Sequence, residues 1–275
     1  MTGFQLLPIE KFALSEYPGH RLALFSTGRI VMATGQKLPQ SADIKSENFV
    51  NSAISRVKTV VISRDVIFLF VADEATTMVA LRDAFAMVSE DDFQVMLAGI
   101  QLAQWSETHF FCPGCAAALS ISATEMAKTC GNCQRNFYPQ LSPAVIMLVH
   151  RPKKASKSNQ REILLARGLP PRKFHGCLAG FVEPGETFEQ TVAREVFEEV
   201  GIKIHNLKYF GSQPWPFPSQ VMVGFLAEWK SGDIKIDPAE ITEAGWYTAE
   251  HLPELPISKS IARKMIDHVV NGGAV

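Results

Sequence analysis

Residues 180–202 read GFVEPGETFEQTVAREVFEEVGI. Glu195, Glu198 and Glu199 lie three and four residues apart, and on a helix of about 3.6 residues per turn that spacing gathers carboxylates on one face. Phe188, Val192, Val196 and Val200 recur every four residues and predict an apolar side opposite the glutamates. Thr187 with Gln190 three residues on is a capping box, and Pro184-Gly185 before it is a turn, so the helix is expected to start near Phe188. Gly201 stands where a glycine lets the chain leave a helix. Hard oxygen donors at this density suit Mg²⁺ or Mn²⁺. The competing reading is a merely solvated acidic face, since like charges four residues apart cost only roughly 0.2–0.5 kcal/mol.

The whole string separates the two readings. G-x5-E-x7-R-E-V-F-E-E-V-G-I, from Gly180 through Glu186 and Arg194 to Ile202, matches every fixed position of the Nudix box, and the chain resembles the Nudix hydrolases. The resemblance implies an α/β Nudix fold, an α/β/α sandwich with a mixed sheet, in which a strand, loop and helix present the box. It also implies divalent ions on the glutamates and attack of water on a phosphorus of a nucleoside diphosphate linked to another group. A cation suits that chemistry by lowering the pKa of bound water and offsetting charge on the diphosphate. By resemblance Glu195 and Glu199 are metal ligands, Glu198 is a ligand or orienter, and Glu199 activates water. Arg194 is expected to hold the glutamates through charge-assisted hydrogen bonds, and Glu186 to bond within the loop or support a second metal.

Cys112-Pro113-Gly114-Cys115, fourteen residues, then Cys130-Gly131-Asn132-Cys133 has the spacing of a four-cysteine zinc ribbon. Four thiolates fill a tetrahedral shell, so one structural Zn²⁺ per chain is expected. Cys177, the remaining cysteine, reads as a core residue.

Ser212-Gln213-Pro214-Trp215-Pro216-Phe217-Pro218 follows the box. Three prolines stiffen such a loop and can hold two aromatics at low entropic cost, for a base to stack on or simply as core residues at a surface turn. Beside a Nudix box and an upstream ribbon it resembles the SQPWPFP signature of the NADH pyrophosphatases, a family that also acts on NAD-capped RNA; the resemblance covers residues 75 to 270. It implies cleavage of NAD(H) to nicotinamide mononucleotide and AMP, or removal of an NAD cap to leave a 5′-monophosphate RNA. Carried over residue by residue, it implies substrate contacts at Gln213, Pro214, Trp215, Pro216, Phe217 and Pro218, at Tyr138 and Phe181, at the small Ala262, and at Arg82 and Glu125. The Ala179 carbonyl and Glu240, outside the box, would complete the metal site. The chain departs from the pattern at Ser219-Gln220, where the family's hydroxyl comes one position later, so Ser219 and Gln220 are alternative contacts.

Length points to more than one domain: 275 residues divide as an N-terminal α+β domain (1–107), the ribbon (108–137) and the Nudix domain (138–275). Strands are expected within 21–34 and 59–72, and helix over 76–105. Pro143–Val149 reads as a buried strand paired with 162–166, the basic stretch 152–160 as a solvated loop, 221–226 as another strand, and 258–270 as a helix ending at Gly272-Gly273. With 27 basic and 28 acidic residues and a formal charge of −1, no broad positive field advertises duplex nucleic acid. The start lacks a basic, apolar leader, and no apolar run reaches roughly 18 residues, which predicts a cytoplasmic protein with no membrane contact. The resemblance further implies a homodimer. The alternatives are a broader dinucleotide or nucleoside-diphosphate-sugar pyrophosphatase, and a non-catalytic nucleotide-sensing or RNA-binding module; a sensor has no need of the intact glutamates.

Overall fold

The computed structural model describes residues 4–8, 16–17, 19–26, 29–31, 38, 59–63, 66–70, 78–152, 161–217 and 219–275. They group into two compact units, residues 1–141 with 215–219, and residues 142–214 with 220–275.

In the first unit, β1 (Gln5–Pro8), β2 (Arg21–Ser26), β3 (Arg29–Val31), β4 (Thr59–Ile62), β5 (Val66–Phe70) and β6 (Met78–Ala80) form one sheet in the order β1-β4-β5-β2-β3-β6. β2 and β5 run parallel, the other pairs antiparallel. Residues 27–28, 32–34, 64–65 and 71–72 of the expected strand regions lie outside the described residues, as do 76–77. The helical reading of 76–105 is corrected at its start: Met78–Ala80 is a strand on β3, followed by α1 (Leu81–Met87) and α2 (Glu90–Thr108). Short apolar runs do not distinguish strand from helix by periodicity. Ser89 then starts a new helix, its side chain accepting from Asp92 N–H at 3.1 Å, with Glu90, Asp91 and Asp92 in the first turn, where the helix dipole favours acids.

The ribbon's β7 (Leu119–Ile121), β8 (Lys128–Cys130) and β9 (Asn136–Phe137) form an antiparallel sheet. Lys128 is buried, and its Nζ donates to the carbonyls of Ser106 (2.6 Å) and His109 (2.9 Å). A cation there satisfies carbonyls left open at the C-terminal end of α2.

The second unit holds β10 (Ser142–Pro152), β11 (Arg161–Gly168), β12 (Leu178–Phe181), α3 (Phe188–Val200), β13 (Lys203–Trp215), β14 (Gln220–Ser231), β15 (Ile241–Tyr247) and α4 (Ile261–Val270). Its mixed sheet runs β13-β14-β10-β11-β15, with β12 also on β10. β10 is parallel to β14 and antiparallel to β11 (through His150–Pro152) and β12 (through Ala144–Met147). α3 packs on β10 and β12, α4 on β10, β11 and β14. Val145, Met147 and Val149 join Val192, Val196 and Val200 of α3 in one core, while Ile146 pairs with Gly224, over which Ile261 and Met265 of α4 lie. Burial on both faces is why β10 reads as an unbroken apolar run rather than an alternation. The C-terminal helix begins at Ile261 rather than 258, because Ser260 is its N-cap, accepting from Arg263 N–H at 3.2 Å. Residues 153–160 of the expected basic loop lie outside the described residues. Among the described residues no helix is long and apolar enough to cross a membrane.

Candidate active site

The ends of α3 are fixed locally. Thr187 Oγ1 accepts from Gln190 N–H (3.3 Å) and Gln190 Oε1 from Thr187 N–H (2.8 Å), the reciprocal capping box. At the other end Gly201 has φ 71° and its N–H donates to the Phe197 carbonyl at 2.9 Å, the left-handed exit glycine allows. The last carbonyls are taken by a distant segment: Glu199 C=O accepts from Asp237 N–H and Val200 C=O from Lys235 N–H, both at 2.9 Å. These bonds tie the loop carrying Glu240 to the end of the box helix.

Thr191, Glu195 and Glu199, four residues apart, form a buried stripe. It adjoins the Val192-Val196-Val200 stripe, a correction to the expectation that the apolar side lies opposite: residues one position apart sit only about 100° around a helix. Phe188, expected in that core, is 39% exposed, being the first residue after the cap. Glu198 stands at the rim, its side chain 57% exposed. Glu195 rests on Gly180 of β12, where a β-carbon would fall 1.9–2.3 Å from the glutamate's carboxylate atoms. The first glycine of the box therefore clears space for one of its carboxylates.

Arg194 uses all five of its N–H donors. Nε and Nη2 donate to Glu186 (2.7 and 2.9 Å), Nη1 to Glu195 (2.7 Å) and Glu198 (2.9 Å), and Nη2 also to the Phe181 carbonyl (3.0 Å). Arg194 thus holds the glutamates as expected. Hydrogen bonds from Arg194 pull the Glu186 carboxyl down to about 2; Glu186 also accepts from Thr191 Oγ1 (2.8 Å) and from Glu183 N–H (3.1 Å), bonding within the loop.

Burial pushes Glu199 up to about 8, with Glu195 and Glu240 adding like-charge repulsion; a backbone hydrogen bond from Ala179 and the charge of Arg172 pull the other way. Burial also raises Glu195, against the pull of Arg194, with Glu198 and Glu240 raising it further. Two buried carboxylates beside a third make a donor set that a small dication fits, since it supplies the missing charge to oxygen ligands. Sequence reasoning did not find Arg172, Thr191 or Asp237. Thr191 sits four residues before Glu195, a visible signal; Asp237 acts through its backbone and Arg172 through space.

The four ribbon cysteines converge. Cys112 and Cys133 sulfurs are 3.6 Å apart, Cys115 and Cys130 3.5 Å, and all four lie within 4.8 Å of one another without disulfides. Zn–S bonds of about 2.3 Å in a tetrahedron set sulfurs roughly 3.8 Å apart, so the quartet fits zinc. Cys177 is buried, and burial pushes its thiol up to about 12.

The other expected contacts fall into distinct groups. Tyr138, 54% exposed, donates its hydroxyl to Glu125 at 2.5 Å. Trp215 and Phe217 meet edge-on at 5.4 Å between centroids, both against buried Phe85; Gln101 Nε2 donates to the Trp215 carbonyl (3.4 Å), and the Arg82 guanidinium lies 4.7 Å over the Phe217 ring. Pro216 is buried, Pro214 exposed, and Pro218 lies outside the described residues. Ser219 donates to the Gln140 carbonyl (3.1 Å), and Gln220 opens β14 opposite Ser142. In the second unit Phe181 is 47% exposed, Ala179 is exposed and pairs with Ile146, Ala262 is buried, and the Gln213 amide bonds the backbone at the start of α4.

Residues 141–269 match the family model of the NUDIX domain. The NAD-capped RNA hydrolase NudC of Enterobacter sp. (strain 638) is 47% identical over 179 residues, covering 65% of this chain and 66% of that protein. Its namesake from Salmonella heidelberg (strain SL476) is 46% identical over the same shares. The match spans just under two thirds of these relatives' length. Among solved structures, the NUDIX hydrolase from Nitrosomonas europaea aligns with 60% of this chain and 94% of its own at 21% identity, with a TM-score of 0.47. The box helix and its mixed sheet lie within the stretch that the family model matches, so residues 141–269 of the chain form a NUDIX domain.

Proposed function

We propose that this chain hydrolyses the diphosphate of NAD(H) to nicotinamide mononucleotide and AMP, and removes an NAD cap from RNA to leave a 5′-monophosphate end. The chemistry rests on one observation: Glu195 and Glu199 are buried side by side against β12, with Arg194 gripping only the first. Mg²⁺ or Mn²⁺ held by Glu195, Glu199, Glu198, Glu240 and the Ala179 carbonyl would lower the pKa of a water and offset charge on the diphosphate. Glu199 takes the proton of the attacking water; burial and like charge raise its proton affinity, which suits a base working near neutrality. Arg194 keeps Glu186, Glu195 and Glu198 from reorienting, and its bond to the Phe181 carbonyl ties the same scaffold to β12.

The substrate choice is supported by the relatives named as NAD-capped RNA hydrolases. In this reading Trp215, Phe217, Tyr138 and Phe181 are the contacts for the base and nicotinamide halves, and Arg82, Glu125, Pro214, Pro216, Pro218, Ser219, Gln220 and Ala262 are further substrate contacts implied by the resemblance. The same reading holds one structural zinc per chain, a homodimer and a cytoplasmic setting. The test is kcat/KM for NADH, NAD⁺, NAD-capped RNA and a nucleoside-diphosphate sugar on one Mg²⁺-loaded preparation, with Glu199→Gln in parallel. Preference for the sugar would replace this substrate with the broader one, and full turnover in Glu199→Gln would remove that residue as the base.

A further inference from the structure

Gln213 heads the loop whose resemblance implies substrate contact, yet its amide is engaged elsewhere. The residue is 5% exposed. Its Nε2 donates to the Lys259 carbonyl at 2.9 Å, and its Oε1 accepts from Ile261 N–H at 2.8 Å. These two backbone groups flank Ser260, the N-cap of α4. The first N–H groups of a helix have no acceptor within it, so Gln213 satisfies one of them from 48 residues away. The bond from Ile261 N–H is buried and the one to Lys259 partly so, and together they engage both the oxygen and the nitrogen of the amide.

The start of α4 is clamped from other sides too. At Gly224 of β14 a β-carbon would come within 2.9 Å of Ile261 Cδ1 and 3.1 Å of Met265 Sδ, so the helix lies directly on that strand. The carbonyl of the next residue, Ala262, accepts from the buried Cys177 thiol at 3.7 Å. Cys177 immediately precedes β12, whose Ala179 bonds Glu199 and whose Gly180 underlies Glu195. A continuous run of contacts thus leads from Gln213 through the first turn of α4 to the strand beneath the glutamates.

We propose that Gln213 is a positioning residue: it sets the first turn of α4, and through the Ala262–Cys177 contact it sets β12, without touching substrate. This rests on the activity proposed above. In Gln213→Met, which keeps the length but neither hydrogen bond, kcat falls about tenfold for NADH, NAD⁺ and ADP-ribose alike, while each KM and the ratios of kcat/KM stay within about twofold. Hydrogen exchange at the Ile261 and Ala179 amides quickens in the same variant. Gln213→Glu keeps the acceptor for Ile261 N–H but turns a carboxylate toward the Lys259 carbonyl, and shows the same pattern if Gln213→Met does not fold. A rise in KM confined to nicotinamide substrates would make Gln213 a substrate contact, and a lowered Tm with unchanged kinetics would make it merely structural; either overturns the proposal. If the wild type hydrolyses no dinucleotide, the activity reading fails on its own. Exchange at Ile261 and Ala179 then still decides the strut, and unchanged exchange at Ala179 overturns it.

Discussion

Replacing Glu199 by glutamine should stabilise the protein in alkaline solution without divalent cation, while abolishing its turnover. Burial and the charges of Glu195 and Glu240 lift the Glu199 carboxyl from an ordinary 4.5 to about 8. A carboxyl whose folded value is raised binds more protons in the native than in the unfolded state between those two values, so stability falls as pH rises through that window. Each tenfold in proton affinity is worth about 1.4 kcal/mol, which bounds the loss at about 5 kcal/mol, with about 2–3 expected once the site relaxes. Glutamine has the shape of the protonated acid. The two proteins should therefore unfold alike near pH 4 in urea, below both values, and the variant should be the more stable by about 2–3 kcal/mol near pH 9. Added Mg²⁺ should stabilise the wild type at pH 9 and the variant less, since only a ligand for the native state shifts unfolding. Parallel stability curves from pH 4 to 9 would refute the argument, because they would mean that Glu199 is not held against ionisation.

Gly180→Ala places a β-carbon on the Glu195 carboxylate; kcat should drop about 10²-fold, with about 1–3 kcal/mol lost from stability in the same preparation. Arg194→Lys keeps the charge but not the fork that serves Glu186, Glu195, Glu198 and Phe181, so kcat should fall at least about tenfold, checked by steady-state assay at saturating Mg²⁺. Thr187→Ala removes half of the capping box and should cost about 1 kcal/mol in urea unfolding. Cys130→Ala should cut bound zinc from about one per chain to none by elemental analysis and melt the ribbon, since such sites owe their folding to the metal.

The parts of the site legible from residue order are those made by near neighbours. The Thr187-Gln190 cap, the Gly201 exit, the glutamate spacing and the paired cysteine knuckles all depend on backbone geometry over a few residues, and each is present. The same local logic misjudged Phe188, since periodicity does not tell how far a neighbouring sheet reaches past the first turn. It also merged Met78–Ala80 into a helix, because three apolar residues become a strand only when β3 offers its edge.

The sequence by itself determined the chemistry: a helix that must carry its carboxylates on one side, a quartet of thiols spaced for one tetrahedral ion, and an arginine within reach of the glutamates. Only the tertiary structure decided how that chemistry is held. Gly180 lies under Glu195, Asp237 brings Glu240 to the end of the helix, and Gln213 bonds the start of α4. Each is a contact between residues far apart in the chain, fixed by sheet register and helix packing, and no pattern within a turn or two encodes it.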